Sequence, residues 1–198
     1  VNSAVAQTAA KPWSTGKITT TNAAAEISFA LEPSSVAPGE TAKLTIVFDS
    51  QDPWYLYERS PDGERKSENG LPVLVHLDKL AFGEVKGPTA SITAEEKVYS
   101  DGKKANVYKK PVTFVYEIVI PADQAEGVLE LAGGIGAQSC NAKDENCMPP
   151  QGFDFRAKLN VAKTPSKTAG EVEWIKSKYA DVKKRIQAGS QERSATDN

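Results

Sequence analysis

Short stretches of alternating apolar and polar residues run through the middle of the chain. Ile27, Phe29 and Leu31 alternate with polar neighbours, and so do Leu44, Ile46 and Phe48. A period of two turns one face of an extended segment toward a core and the other toward water. Between these two segments lies Pro33-Ser-Ser-Val-Ala-Pro38-Gly39, a turn signal. Further strand candidates are Trp54 to Tyr57, Val73 to Leu77, Gly83 to Lys86, Val112 to Ile120, Val128 to Leu131 and Phe153 to Val161. Punctuation falls at Asp52-Pro53, Pro61-Asp62-Gly63, Asn69-Gly70, Asp101-Gly102 and Gly133-Gly134. About eight short strands with no internal helical period predict an all-β fold, an immunoglobulin-like antiparallel β-sandwich.

The end of the chain changes period. Thr168-Ala-Gly-Glu171 has the form of a helix-entry capping box. Val172, Ile175, Tyr179, Val182 and Ile186 then recur at steps of three and four, with Gly189 after them. The pattern predicts a C-terminal amphipathic helix of about four turns. Its stripe either packs on the sandwich or on a neighbouring chain, or connects to a further domain. The chain thus divides into a flexible lead-in over 1–24, a sandwich over 25–163, and a linker, helix and polar tail over 164–198.

Charge and composition narrow the partners. The 24 basic residues are interspersed among 26 acidic ones in 198 residues, for a net charge of -2. That argues against a nucleic-acid surface. No apolar run approaches the ~20 residues of a membrane span, so this segment is expected not to insert directly. Val1-Asn-Ser-Ala4-Val5-Ala6-Gln7 contains a small-x-small pattern like the end of a signal peptide. Together with the cysteine usage it points to an exported, extracytoplasmic protein.

The chain has two cysteines, Cys140 and Cys147, in one polar loop, Ser139-Cys140-Asn-Ala-Lys-Asp-Glu-Asn-Cys147-Met148-Pro149-Pro150. Their separation lets the thiols reach disulfide distance if the loop folds back on itself. Two readings follow. A structural staple would remove about 2.5 kcal/mol of unfolded-chain entropy, which a domain of this size does not require. A working redox pair would use the loop's polarity for access and the two prolines to hold the second cysteine. Other chemistries lack residues. His76, the one histidine, sits in an apolar alternating segment and falls short of a blue-copper or four-ligand zinc set, so no metal or cofactor is expected. No Ser-His-Asp set or phosphate-cradling Gly-Lys-Ser/Thr loop is present either.

Three motifs, in order, carry a resemblance. Asp52-Pro53-Trp54-Tyr55-Leu56-Tyr57-Glu58 resembles a Tyr-x-Tyr strand; Glu95-Glu96-Lys97-Val98-Tyr99, followed by Tyr108 and Pro111-Val112, resembles an acidic, aromatic cap loop; and the cysteine loop ends in Met148-Pro149-Pro150. Together they resemble the N-terminal periplasmic domain of the DsbD thiol:disulfide interchange family, over roughly Ile27 to Val161. The resemblance implies an immunoglobulin-like sandwich in the periplasm whose Cys140–Cys147 pair cycles between dithiol and disulfide. It implies electrons received from a thioredoxin-like domain, fed through a membrane-embedded reductase domain. They pass on to disulfide isomerases and the thioredoxin-like proteins of cytochrome c maturation. It makes Cys147 the partner-facing sulfur and Cys140 the resolving one. It lines or caps the site with Tyr55, Tyr57, Glu96, Val98, Tyr99, Met148 and Pro149. The alternative, from another class, is a non-catalytic sandwich that binds a protein and carries a structural disulfide.

The chain departs from the family pattern at three places. Six residues separate the cysteines, one more than is usual, and the aromatics expected on either side of the second cysteine are Asn146 and Met148. Val98 stands where the cap loop carries phenylalanine, which shifts the shielding toward Tyr99. Glu96, Asp144 and Glu145 would raise a nearby thiol pKa, and Lys97 and Lys143 would lower it, so no strongly acidic thiol is expected.

Overall fold

The computed structural model describes residues 12–196, with side chains to residue 189. In chain order the strands are β1 Ser14–Thr15, β2 Ile18–Thr19, β3 Ala25–Glu32, β4 Ser35–Val36, β5 Thr41–Ser50, β6 Trp54–Tyr57, β7 Leu74–Leu77 and β8 Glu84–Ala90. They continue with β9 Glu95–Val98, β10 Lys104–Tyr108, β11 Val112–Val119, β12 Gly127–Ala137, β13 Ser139–Asn141, β14 Gln151–Val161 and β15 Val172–Ser177, before helix α1 at Tyr179–Thr196. One sheet runs β2-β3-β5-β11-β8, a second runs β1-β15-β14-β12-β7 with β4 beside β14, and a small third runs β13-β6-β10-β9. Pairing between these strands is antiparallel except for β4 on β14. The fold is the immunoglobulin-like antiparallel sandwich that the alternation predicts.

The alternation is cashed out strand by strand. In β5, Ala42, Leu44, Ile46 and Phe48 are buried while their neighbours face outward, and β11 repeats this with Val112, Phe114, Tyr116 and Ile118. Register places Ile46 opposite Phe114 and Phe48 opposite Val112, so the two buried rows share one face. They meet Leu129, Leu131, Ile135, Phe153, Phe155 and Leu159 from the second sheet in one core. Each such side chain, fully buried, contributes roughly 1.5–3 kcal/mol.

Two expectations need correction here, and a third lies beyond the described residues. Gly133-Gly134, read as a turn, lies in the middle of β12. A Cβ at Gly133 would collide with the His76 carbonyl on β7 and the Phe155 ring on β14, so glycine serves close strand approach there rather than a bend. The lead-in pairs with the sandwich where it is described: β1 joins β15 and β2 joins β3, and the Arg156 guanidinium lies over the Trp13 ring. The leader-like residues Val1 to Gln7 fall outside the described residues.

At the other end the helix starts later than the capping box predicts. Val172–Ser177 is a strand, because the edge of β14 offers unpaired backbone groups and Trp174 stacks edge-on against Phe153. Helix α1 begins at Tyr179, and Gly189 lies inside it. Tyr179, Val182 and Ile186 still form the buried stripe, packed on Leu74 with Leu71 beside them. The stripe therefore packs on the second sheet, and Arg185 bonds Asp154 from that face.

Candidate functional site

The small sheet builds the site. β13 continues directly from β12 and pairs with β6, which sets Cys140 opposite Tyr55 and Ser139 opposite Leu56. β6 pairs in turn with β10, and β10 with β9, so the segment from Glu95 to Tyr99 reaches the same place as a hairpin. Beyond β13 the loop folds back. Asn141 N–H donates to the Asn146 carbonyl, and Met148 N–H donates to the Ser139 carbonyl, each at 2.8 Å. Asn141 and Asp144 use side-chain oxygens to accept the Lys143 and Asn146 N–H groups. Cys140 and Cys147 face each other across this turn and are joined by a disulfide.

The two sulfurs have unequal surroundings. Cys140 is fully buried in a cluster with Tyr55, Tyr57, Tyr99, Ala105 and Val107, while Cys147 packs at the edge of that cluster and is only partly buried. The tyrosine hydroxyls bond one another: Tyr99 donates to Tyr57 at 2.7 Å and lies 3.3 Å from the Tyr55 oxygen. Burial pushes the Tyr55 and Tyr99 hydroxyls well above the ordinary tyrosine value, so both stay neutral beneath the disulfide.

The hairpin is tied to the cysteine loop by charge. The Lys97 ammonium sits 3.1 Å from Glu145 Oε1 and is only 12% exposed. It also lies 4.3 Å from the centre of the Tyr99 ring, a cation–π distance. Ser100 donates to the other Glu145 oxygen at 3.1 Å. Glu145 adopts φ 59°, in the left-handed region. That conformation turns the chain so that its carboxylate meets the hairpin and its carbonyl stays close to Cys147.

The structure therefore brings Tyr55, Tyr57 and Tyr99 to the cysteine pair and leaves two expected cap residues outside. Val98 is 57% exposed, because alternation along β9 turns it away when Tyr99 turns in. Glu96 is exposed and pairs with Lys104 at 2.9 Å on the outer face of the hairpin. Met148 is half-buried and accepts from the Asn22 amide through sulfur at 3.2 Å, and Pro149 is exposed. Sequence reasoning missed the joint hold of Glu145 on Lys97 and Ser100, it missed Asn22 and Gln138 altogether, and it read Asn69 only as part of a turn. No local pattern ties these residues to the cysteines, since each partner lies far away along the chain.

The family described as "Thiol:disulfide interchange protein DsbD, N-terminal" matches residues 25–159. The chain belongs to that family. The match ends before β15 and α1. Among solved structures, the reduced form of the Neisseria meningitidis DsbD N-terminal domain aligns at 15% identity and a TM-score of 0.35, covering 72% of this chain and 89% of that one. The complex of the DsbD and PilB N-terminal domains from Neisseria meningitidis aligns at 15% identity and 0.36, covering 70% and 84%. No curated protein sequence matches the chain. Among the described residues no helix is long and apolar enough to cross a membrane.

Proposed function

We propose that this domain exchanges electrons with thioredoxin-like proteins or domains through the Cys140–Cys147 pair, in the periplasm or an equivalent oxidising compartment. The observation that carries the reading is the asymmetry of the pair. Cys147 is partly exposed at the loop edge, and Cys140 is fully buried with three tyrosines. A partner thiolate attacks Cys147, the Cys140–Cys147 bond breaks, and Cys140 leaves as a thiolate that takes up a proton. The partner's second thiolate then attacks the mixed disulfide, which leaves the partner oxidised and this pair as a dithiol. In the reverse direction Cys140 resolves a mixed disulfide formed at Cys147. Family membership supports the chemistry, and a membrane-embedded reductase domain would be the natural source of electrons for the donor.

Neutral tyrosines under the pair add no negative charge against the departing thiolate, and the neighbouring Lys97 is occupied by Glu145. The site so described favours steady protection over high intrinsic reactivity, with access supplied when a partner docks. Trapping tests the division of labour. Cys140→Ser should accumulate a mixed disulfide with an activated thioredoxin-like protein on non-reducing gels, and Cys147→Ser should accumulate little. Equal trapping, or more by Cys147→Ser, would reverse the assignment. A midpoint potential below about -300 mV would instead mark the bond as a structural staple.

A further inference from the structure

Residues 58–72, between β6 and β7, have no part in the chemistry above, yet they lie on the disulfide. The main-chain oxygen of Asn69 is 3.7 Å from Sγ of Cys147. A disulfide sulfur carries no proton, so this is a van der Waals contact, and it sets main chain of this loop against the less buried of the two cysteines. Gly70 lies against the Tyr57 ring so closely that a Cβ there would overlap the ring carbons. Next to it, Leu71 N–H donates to Oε1 of Gln138 at 2.8 Å, and Nε2 of the same amide donates to the Met148 carbonyl at 3.1 Å. One side chain thus clamps the loop to the residue that follows Cys147.

The far side of the loop is braced by α1. The Tyr179 hydroxyl donates to the Pro72 carbonyl at 2.6 Å, Leu71 joins the apolar cluster under the helix, and Gln187 donates to Glu64 at 2.6 Å. Toward the hairpin, Lys103 meets Glu68 at 2.8 Å, but both ends are exposed and such a pair contributes little. The brace comes from a part of the chain beyond the family match.

We propose that residues 58–72 are a second cover over the disulfide, clamped by Gln138 and braced by α1, and that this cover and the 95–104 hairpin together set which reductants reach Cys147. Gln138 is a positioning residue in this scheme; it acts on the sulfur through the loop. The proposal rests on Cys147 being the attacked sulfur, and the test is chosen to keep the two ideas apart.

Oxidised wild type, Gln138→Ala, Gln138→Glu and Gly70→Ala are reduced with tris(2-carboxyethyl)phosphine and the second-order rates compared. The phosphine needs access but not a reversible pair. It attacks sulfur, the S–S bond breaks, water supplies the oxygen that ends on phosphorus, and two thiols result. Gln138→Ala, which loses two hydrogen bonds, and Gly70→Ala, which pushes the loop off the Tyr57 ring, should react about fivefold faster or more, the change that even one net hydrogen bond makes in an opening equilibrium. Gln138→Glu should fall between them and wild type, because a carboxylate still accepts from Leu71 but no longer donates to Met148. With a reduced thioredoxin-like protein, forward and reverse rates should rise together and leave the equilibrium constant unchanged within about twofold, as a gate requires. Wild-type phosphine rates in the Gln138 variants, with thermal unfolding showing them folded, would overturn the proposal even if Gly70→Ala fails to fold. A shift of the equilibrium constant in step with the forward rate would also overturn it, since the variant would then have changed the bond and not its access. If the wild-type pair does not equilibrate with any thiol protein while the variants still react faster with phosphine, the exchange function fails and the cover stands.

Discussion

The core between the two large sheets is mainly aliphatic residues and phenylalanines, with two tyrosines, Tyr108 edge-on to Phe114 and Tyr116 donating its hydroxyl to the Val75 carbonyl. In the cluster on the small sheet, three tyrosines and Cys140 pack with Ala105 and Val107, held by hydroxyl-to-hydroxyl bonds and rimmed by the Lys97–Glu145 pair. The first cluster depends on apolar area and close packing, which act whatever the neighbours' chemistry. The second depends on directed bonds between segments that are far apart in sequence, each worth about 1 kcal/mol net. The difference predicts that the site can loosen around its disulfide without loss of the sandwich.

The largest test of that separation is Phe114→Ala. Removing a ring packed edge-on against Phe48 should cost about 3–5 kcal/mol in denaturant unfolding. The rate at which the disulfide of the still-folded protein is reduced should not change. A faster reduction would show that the site and core loosen as one. Next comes reduction of the disulfide, which should cost about 2.5 kcal/mol by the entropy of a short closed loop and leave a folded sandwich. The denaturation midpoints of oxidised and reduced protein measure this, and loss of the folded baseline on reduction would erase the distinction.

Tyr99→Phe should cost about 1–2 kcal/mol, since two hydroxyl contacts are lost in a buried place. It also carries a pH signature. Burial raises the Tyr55 and Tyr99 hydroxyls above the ordinary 10.0, so the unfolded chain gives up these protons first as pH rises. The folded state then binds more protons, and this part of the stability is whole below pH 10 and is lost above it. Phenolate absorbance should lag in the folded protein, and Tyr99→Phe should flatten the alkaline fall. The smallest effect is expected from Lys97→Met, about 1 kcal/mol and little changed by salt, because the Lys97 side chain is mostly buried between Glu145 and the Tyr99 ring. A loss that shrinks steeply as salt is added would mean that the hairpin is held by solvent-exposed charge.

Much of the sandwich was legible because its cause is local. A strand with one face buried must alternate, and Leu44, Ile46 and Phe48, or Val112 and Phe114, display that period without help from the rest of the chain. The cysteine pair and Tyr55 were legible for a different reason, as motifs in a recognisable order. The C-terminal boundary was misread because Val172 and Ile175 fit a helical stripe while Val172 and Trp174 fit the alternation of a strand over the same short span. The open edge of β14 chose the strand.

Period and motif order established the sheets, the disulfide loop and its tyrosines. Tertiary structure alone decided which side of β9 meets the sulfur, so that Tyr99 is buried and Val98 is not. It alone placed Asn69 and Gln138 beside Cys147 and set α1 behind the loop that carries Asn69. Periodicity reports which face of a segment is apolar, and a pairing register then says where that face points. A carbonyl against a sulfur, or an amide bridging two loops, has no period and no residue type of its own, and exists only once the folded chain brings distant segments within hydrogen-bonding reach.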